Sequence, residues 1–411
     1  MGAKWASTFR RLMHPSLDIT TTSPSSWKYL SEGGATLVFA YTGPSDERFD
    51  QRVLRLGKNF TAVEDEKSII LFQTEIISCL VPQKHLVHME AVMLSFSWLE
   101  TVSTLCASSR PAWRTGDIDL KCTSGFLAPN LVSSPISVEI KPKWSFLRPG
   151  MRTCRFCMHS SCRGWTTSYC PLDLFSSSPS RMKNALYALY DSWTAGAATQ
   201  NNFRLFIGGG LVTRNDLLPI LRRLGLLHSS IAEENEVREL VVGSLHASLL
   251  QPESLTLLKT LNRLQRTLDG VGIEGLASLW DKVYLGKKTF GEGILQPTLN
   301  EWKSFVNEYL EHQNSSVSSQ AQPDEVHLRY CILSYLLSAT FKDCSIMIKL
   351  PDLHHNYSPS QITLIDLDSK PIQRLQKWLE QDRNIVYEYT VISRQKECVD
   401  DLDMSTDRLY N

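Results

Sequence analysis

Five short strings place phosphate-handling groups along this chain: Glu139-Ile-Lys-Pro-Lys143, Cys154-Arg-Phe-Cys-Met-His159, Asn201-Asn-Phe-Arg204, Lys342-Asp-Cys-Ser345 and Asp366-Leu-Asp-Ser-Lys-Pro371. Lysines, arginines and amides that recur in this way suit a ligand carrying many phosphates, because the guanidinium fork and the amide both donate to phosphate oxygens. Two late aspartates, Asp343 and Asp366, stand beside strand-like runs. Phosphoryl transfer needs one carboxylate to orient the attacking hydroxyl and another to hold magnesium. Read jointly, these residues point to phosphoryl transfer onto a small polyanion.

Each string also has an ordinary structural reading. If Ser137–Lys143 is a strand, Glu139, Lys141 and Lys143 share one face, which suits a polyphosphate and equally suits a solvated strand face. Pro142, lacking an amide hydrogen, favours an edge position. Asn201, Asn202 and Arg204 open an apolar run and fit either phosphate binding or a turn-to-strand junction. An aspartate after a strand is commonly a turn residue. Glu32-Gly-Gly-Ala35 runs into the apolar stretch Thr36–Tyr41. Glycines there allow backbone amides to approach phosphates, with Arg55 on the next strand, but a plain hairpin turn reads the same way.

The elements that must position these groups follow from length and periodicity. A chain of 411 residues can bury a full core and divide into two lobes. Formal net charge is zero, which excludes a general nucleic-acid or membrane-surface binder while permitting a local basic pocket. No apolar run is long enough for membrane insertion. Ten cysteines without a secretory signal read as reduced thiols in the cytoplasm or nucleus. Residues 1–26, rich in Ser, Thr and Pro, are expected to form a mobile leader. Strands are predicted at Thr36–Tyr41, Gln51–Leu56 and Ser137–Lys143, and helices at Glu64–Ile77 and Met89–Leu105. Beyond Pro171 helical spacing dominates, over Met182–Trp193, Asn215–Leu227, Glu233–Leu250, Glu253–Leu268, Leu299–Glu311 and Val326–Ala339. The polar stretch Gln313–Asp324 reads as a linker, and the tail returns to strands at Ser345–Ile348, Ile362–Leu367 and Asn384–Ile392. The expected class is α+β or α/β, with an antiparallel-sheet N-lobe over residues 27–130, a larger mixed C-lobe over 131–411, and a cleft between them.

The ordered set resembles the inositol-pentakisphosphate 2-kinase family. The matching strings are Glu32–Ala35, Glu139–Lys143, Arg155–His159, Pro171–Ser176, Asn201–Arg204, Lys342–Met347 and Asp366–Pro371, so the likeness spans nearly the whole chain. The resemblance implies an ATP- and magnesium-dependent kinase that phosphorylates the 2-hydroxyl of inositol pentakisphosphate, giving inositol hexakisphosphate (phytate). It implies nucleotide contacts from Glu32, Gly33, Gly34, Ala35, Arg55 and Glu139. Inositide contacts fall to Arg114, Lys143, Asn201, Asn202, Arg204, Lys370, Arg374 and Trp378, the last three on one helix face. Asp343 and Lys141 become catalytic, and Asp366 the magnesium ligand. A monomer is expected.

The chain departs from the family pattern at Ser31, where a glycine is usual, at Thr36, where asparagine is usual, and at Trp378, commonly tyrosine. A non-catalytic inositide-binding protein is the alternative reading, against which stand the retained Asp343, Asp366 and Lys141. The spacing Cys154-x-x-Cys157-x-His159-x-x-Cys162, with Cys170 close behind, is near that of zinc ligands, with reduced core thiols as the ordinary reading. Plant members carry a structural zinc in a later region, and this chain has no cysteine between Cys170 and Cys331 to build it.

Overall fold

The computed structural model describes residues 17–33, 36–59, 66–165, 167–196, 201–225, 234–314, 324–350, 360–392 and 395–401. The chain divides into two compact units, residues 1–71 with 86–133, and residues 72–85 with 134–411. Each has its own sheet, and the class is α+β. Among the described residues no helix is long and apolar enough to cross a membrane.

The first unit is built on six strands: β1 Leu17–Asp18, β2 Trp27–Glu32, β3 Thr36–Tyr41, β4 Arg52–Gly57, β5 Glu90–Met93 and β6 Ser124–Pro129. They lie in the order β1-β5-β6-β4-β3-β2, antiparallel except for β1 against β5. Side chains alternate along a strand. Leu37 and Phe39 of β3, with Leu54 and Leu56 of β4, therefore share a core with Trp98, Leu99 and Val102 of the helix Phe96–Cys106. Val38, Ala40 and Val53 pack on the opposite face with Ile70 and Phe126. Burying each large side chain stabilises by about 1.5–3 kcal/mol, so two apolar faces make this sheet a core rather than a surface.

Two expectations fail here. The stretch Leu17–Ser26 belongs to the fold and is not a mobile leader. Ile19 is fully buried, β1 pairs with β5, and the Trp98 indole N–H donates to the Thr22 carbonyl at 3.0 Å. The Ser and Thr residues read as disorder are satisfying turns, with Asp18 accepting from the Thr20 amide. Residues 1–16 lie outside the described residues. The single helix expected over Met89–Leu105 is instead β5 followed by Phe96–Cys106. Met89 and Ala91 face one core while Val92 and Leu94 face the other, a period of two that helical spacing had masked.

The second unit has strands β7 Ile136–Ile140, β8 Phe203–Ile207, β9 Gly210–Val212, β10 Ser345–Lys349 and β11 Gln361–Ile365, ordered β11-β10-β7-β8-β9 and all antiparallel. All five residues of β7 are buried, and it is the central strand. Pro142 therefore marks no edge. Pairing ends with Lys141, whose amide donates to the Asn202 carbonyl at 2.9 Å, so the proline costs no ladder bond. Lys143 then turns the chain with φ 67, and the shared strand face expected for Glu139, Lys141 and Lys143 does not exist.

Around this sheet lie the helices Pro179–Thr194, Arg214–Arg223, Glu234–Leu249, Pro252–Thr267, Gly272–Tyr284, Leu299–Asn314 and Glu325–Asp343. The last is capped by Asp324, which accepts from the His327 amide, and is buried nearly all round. A strand expected at Asn384–Ile392 is part of the helix Leu375–Thr390. Ile385 and Tyr389, four apart, bury together against Met158, so a helical stripe wins over local β-propensity. The linker expected at Gln313–Asp324 falls mostly outside the described residues.

Candidate active site

Antiparallel pairing of β10 with β11 sets Ser345 opposite Ile365, which brings Asp343 and Asp366 to the same end of the sheet. Pairing of β7 with β10 and β8 brings Lys141, Lys143 and Asn202 there too. A connected row results. Arg204 Nη1 donates to Glu139 Oε2 at 3.1 Å, and Ser345 Oγ donates to Glu139 Oε1 at 2.8 Å. The Lys141 ammonium meets Asp366 Oδ2 at 2.7 Å. Asp366 has φ 61, a left-handed conformation that Asp adopts more readily than most residues. Its other carboxylate oxygen makes no hydrogen bond among the described residues.

Beside this row, the Asp343 carboxylate lies between two ammonium groups, Lys370 at 3.3 Å and Lys143 at 3.7 Å. Burial opposes its ionisation, but Lys370, Lys143 and Lys141 outweigh that effect and hold the carboxyl below its ordinary range. It is an anion at neutral pH, able to accept a hydroxyl proton and oriented by two cations. Burial pushes the Lys143 ammonium down, whereas Asp366 and its neighbours more than offset burial at Lys141 and push it up.

One buried amide locks this geometry. Gln265, fully buried, accepts from the Ser145 amide at 2.9 Å and donates to the Phe341 carbonyl at 2.9 Å and the Lys143 carbonyl at 3.2 Å. It ties the Lys143 turn to the end of the helix that carries Asp343. Nothing in the sequence marked it, since it sits within an amphipathic helix whose inward residues are mostly leucines.

A cavity of about 330 Å³ opens beside Asp343. Lys143, Asn201, Asn202, Lys370, Arg374 and Trp378 of the expected inositide set line it, joined by Arg155, His159, Tyr335, Lys342 and Asp382. Arg374 has no ion pair among the described residues. Asn202 is buried, and its side-chain amide donates to the Lys141 carbonyl at 2.8 Å, so it also positions Lys141. Beneath the pocket, Lys342 pairs with Asp269 at 2.7 Å and lies 4.0 Å from the Trp144 ring centre. Asp382 accepts from Arg148 at 2.5 Å and Arg155 at 2.6 Å. Burial, reinforced by Arg155, Arg163 and Lys143, lowers the His159 pKa to about 4, so the ring is neutral. Lys141, Glu139, Arg204 and Asp366 are not part of the pocket wall and form the adjoining row. Arg155 and His159 were legible only as parts of a family string, and Asp382 joins Arg155 across the fold.

In the first unit the expected nucleotide residues divide. Glu32 is buried, its carboxylate meeting Lys58 at 2.5 Å and Arg110 at 2.9 Å, and those partners outweigh burial to bring its pKa down to about 2. Its side chain is thus committed to the fold. Lys58 also donates to the Gly33 carbonyl at 3.0 Å and holds the turn from below. Gly34 and Ala35 lie outside the described residues. Arg55 stands opposite Val38 and Phe126 on one sheet face. The Arg114 guanidinium lies 4.2 Å from the ring centre of Trp113, which is largely exposed.

A model of the inositol-pentakisphosphate 2-kinase family matches residues 29–384. The chain belongs to that family. A Cryptococcus neoformans protein named inositol-pentakisphosphate 2-kinase is 30% identical over 410 residues, covering 90% of this chain and 94% of that protein. Relatives of the same name from Arabidopsis thaliana and Danio rerio are 27% and 25% identical, covering 89% and 91% of this chain and 93% and 95% of their own lengths. This member of the 2-kinase family is therefore an enzyme, and residues from Glu139–Lys143, Arg155–His159, Asn201–Arg204, Lys342–Met347 and Asp366–Pro371 form the acidic and basic row and the pocket just described.

The zinc set expected from spacing needs correction. Cys154 and Cys157 do stand together, but the thiols that join them are Cys170 and Cys398. His159 lines the pocket instead, hydrogen-bonded to Arg163 at 3.3 Å, and Cys162 packs against the Leu375–Thr390 helix, its thiol reaching the Ile385 carbonyl. The reason is helical geometry. Residues 154 to 162 run into the helix Arg155–Cys162, whose successive positions face in different directions.

Proposed function

We propose that this kinase transfers the γ-phosphoryl group of ATP to the 2-hydroxyl of inositol 1,3,4,5,6-pentakisphosphate, giving inositol hexakisphosphate. The observation that carries this reading is Asp343, an ionised carboxylate between Lys143 and Lys370 at the mouth of a pocket rich in cations. Phosphoryl transfer passes through a loose transition state, so positioning and charge stabilisation do most of the catalysis. Asp343 orients the hydroxyl and takes its proton. Lys143, Lys370 and Arg374 hold the inositide phosphates, with Asn201 donating at the rim and Arg204 and Arg114 as further inositide contacts. Trp378 closes one wall. Lys141 stabilises charge on the transferred group.

The donor set suits Mg²⁺. Asp366 offers a hard oxygen with no partner among the described residues, on a half-exposed side chain next to Glu139. When bound, the ion would screen phosphate charge. In the first unit, the backbone of Gly33–Ala35 and the Arg55 guanidinium are the proposed contacts for the nucleotide. The Glu32 side chain supports that turn and does not touch the ligand. Ten cysteines with no disulfide among the described residues favour a reducing compartment, cytoplasm or nucleus, and we take the working unit to be a monomer.

The test is incubation with ATP, Mg²⁺ and inositol pentakisphosphate, with products separated by charge and the new phosphate located by NMR. One added phosphate at the 2-position is expected. Inositide binding without turnover would replace this reading with that of a non-catalytic binder.

A further inference from the structure

Cys154, Cys157, Cys170 and Cys398 take no part in the pocket, yet their Sγ atoms all lie within 4.8 Å of one another. The first three are buried and the fourth half-buried. Cys154 and Cys170 are 3.8 Å apart. A tetrahedral ZnS₄ centre with Zn–S bonds of about 2.3 Å has sulfur–sulfur edges of about 3.8 Å. A disulfide would need a separation of about 2.05 Å. Reduced core thiols behave as small hydrophobes and gain nothing by meeting in fours.

The surroundings place positive charge against the cluster. Cys154 is the N-cap of the helix Arg155–Cys162, and the Cys157 amide points at its sulfur at 3.4 Å. The positive end of that helix faces the cluster. The Lys396 ammonium, which donates to the Ser168 carbonyl at 3.4 Å, adds a cation near the sulfurs.

The fourth ligand comes from a distant stretch of sequence. Cys398 sits in residues 395–401, an irregular segment laid against the loop that leads into the helix. Its amide donates to the Arg152 carbonyl at 2.9 Å. Two residues on, Asp400 accepts from the Leu147 amide at 2.8 Å and pairs with Arg266 at 2.8 Å. That loop ends at Cys154, and the next residue, Arg155, lines the pocket.

We infer that Cys154, Cys157, Cys170 and Cys398 bind one zinc ion, which staples the 395–401 segment to the loop that positions Arg155. The soft, all-sulfur, closed donor set selects a structural Zn²⁺ and leaves no position for water. The site differs in ligands from the spacing-based set, and it stands whether or not the substrate reading above is right.

The full chain, expressed with zinc and dialysed, should carry one zinc per molecule by elemental analysis. Exchange for Co²⁺ should give the intense sulfur-to-cobalt charge-transfer absorption of tetrahedral thiolate ligation. Cys398→Ser and Cys170→Ser should lose the metal, whereas Cys162→Ser should keep it. Limited proteolysis should cut near residues 395–401 faster in Cys398→Ser, and its inositide affinity by calorimetry should fall. Wild-type protein that holds no zinc and shows no such cobalt band, or whose four cysteines are recovered as disulfides, overturns the site regardless of how the variants fold. A zinc-loaded chain whose proteolysis and inositide affinity are unchanged in Cys398→Ser overturns the staple.

Discussion

Lys342 and Asp343 are neighbours in sequence and opposites in environment. Lys342 turns inward to Asp269, at 2.7 Å, with the two side chains 3% and 1% exposed. Asp343 turns outward to Lys370, at 3.3 Å, with exposures of 55% for the carboxylate and 14% for the lysine. In the sealed pair, burial pushes the lysine down and the aspartate up, toward a shared neutral limit. In the open pair the lysines win over burial and keep the aspartate charged. The same two residue types therefore do different work. The sealed pair serves as architecture, because both charged groups are spent on each other out of solvent. The open pair is exchangeable, since phosphate can take the lysines and a hydroxyl can take the carboxylate.

The sharpest way to break this contrast is at the open partner. Asp343→Asn keeps the shape and removes the proton acceptor, and general-base assistance is worth about 10²–10⁴-fold. Single-turnover rates should fall by that order, while calorimetry shows inositide binding retained or tightened because a negative charge has left the pocket. Near-normal turnover would remove Asp343 from the chemistry.

The sealed partner should behave in the reverse manner. Lys342→Met leaves the Asp269 carboxyl buried without its partner, and breaking such a pair costs about 3–5 kcal/mol. Urea titration should show that loss, and adding Asp269→Leu should recover much of it. If Lys342→Met is as stable as the wild type, the pair is not the sealed structural element described above.

A smaller effect sharpens the open side. Losing one charge-assisted hydrogen bond to phosphate costs about 1.5–3 kcal/mol, so Lys370→Ala and Arg374→Ala should each raise the inositide KM roughly ten- to hundredfold. Only Lys370→Ala also touches Asp343. Removing the largest influence that lowers the Asp343 pKa must raise it, so the acid limb of kcat/KM should move to higher pH in that variant and stay in place in Arg374→Ala. Parallel shifts in both variants would mean that Asp343 is not the group being titrated.

Much of this contrast was legible before any coordinates. The late strands follow from short apolar runs and the central helices from clean 3.6-residue spacing, Asp343 stood out only as a carboxylate beside such a run, and Lys370 came with the family resemblance alone. What stayed hidden depends on contacts far apart in sequence. Gln265 looks like one polar residue on an amphipathic helix until the Lys143 turn and Phe341 arrive beside it. The fourth thiol, Cys398, lies 228 positions beyond Cys170 by their numbering, so no local spacing could supply it. Glu32 hid its partners in a related way. A glutamate before two glycines suggests a ligand loop, but Lys58 and Arg110 had already claimed its charge.

The helix Glu325–Asp343 ends at the pocket, and a helix C-terminus carries a partial negative charge. Together with Asp343, Asp382 and Asp269 it sets negative charge against most of the cavity's lysines and arginines, Arg374 excepted. An incoming ligand must therefore compete with the protein's own carboxylates for those cations. A lightly phosphorylated ring gains little from that exchange, whereas a ring bearing a phosphate at nearly every carbon wins at several cations together. The consequence is a threshold in ligand charge, set by the fold itself, below which the lysines remain with their aspartates.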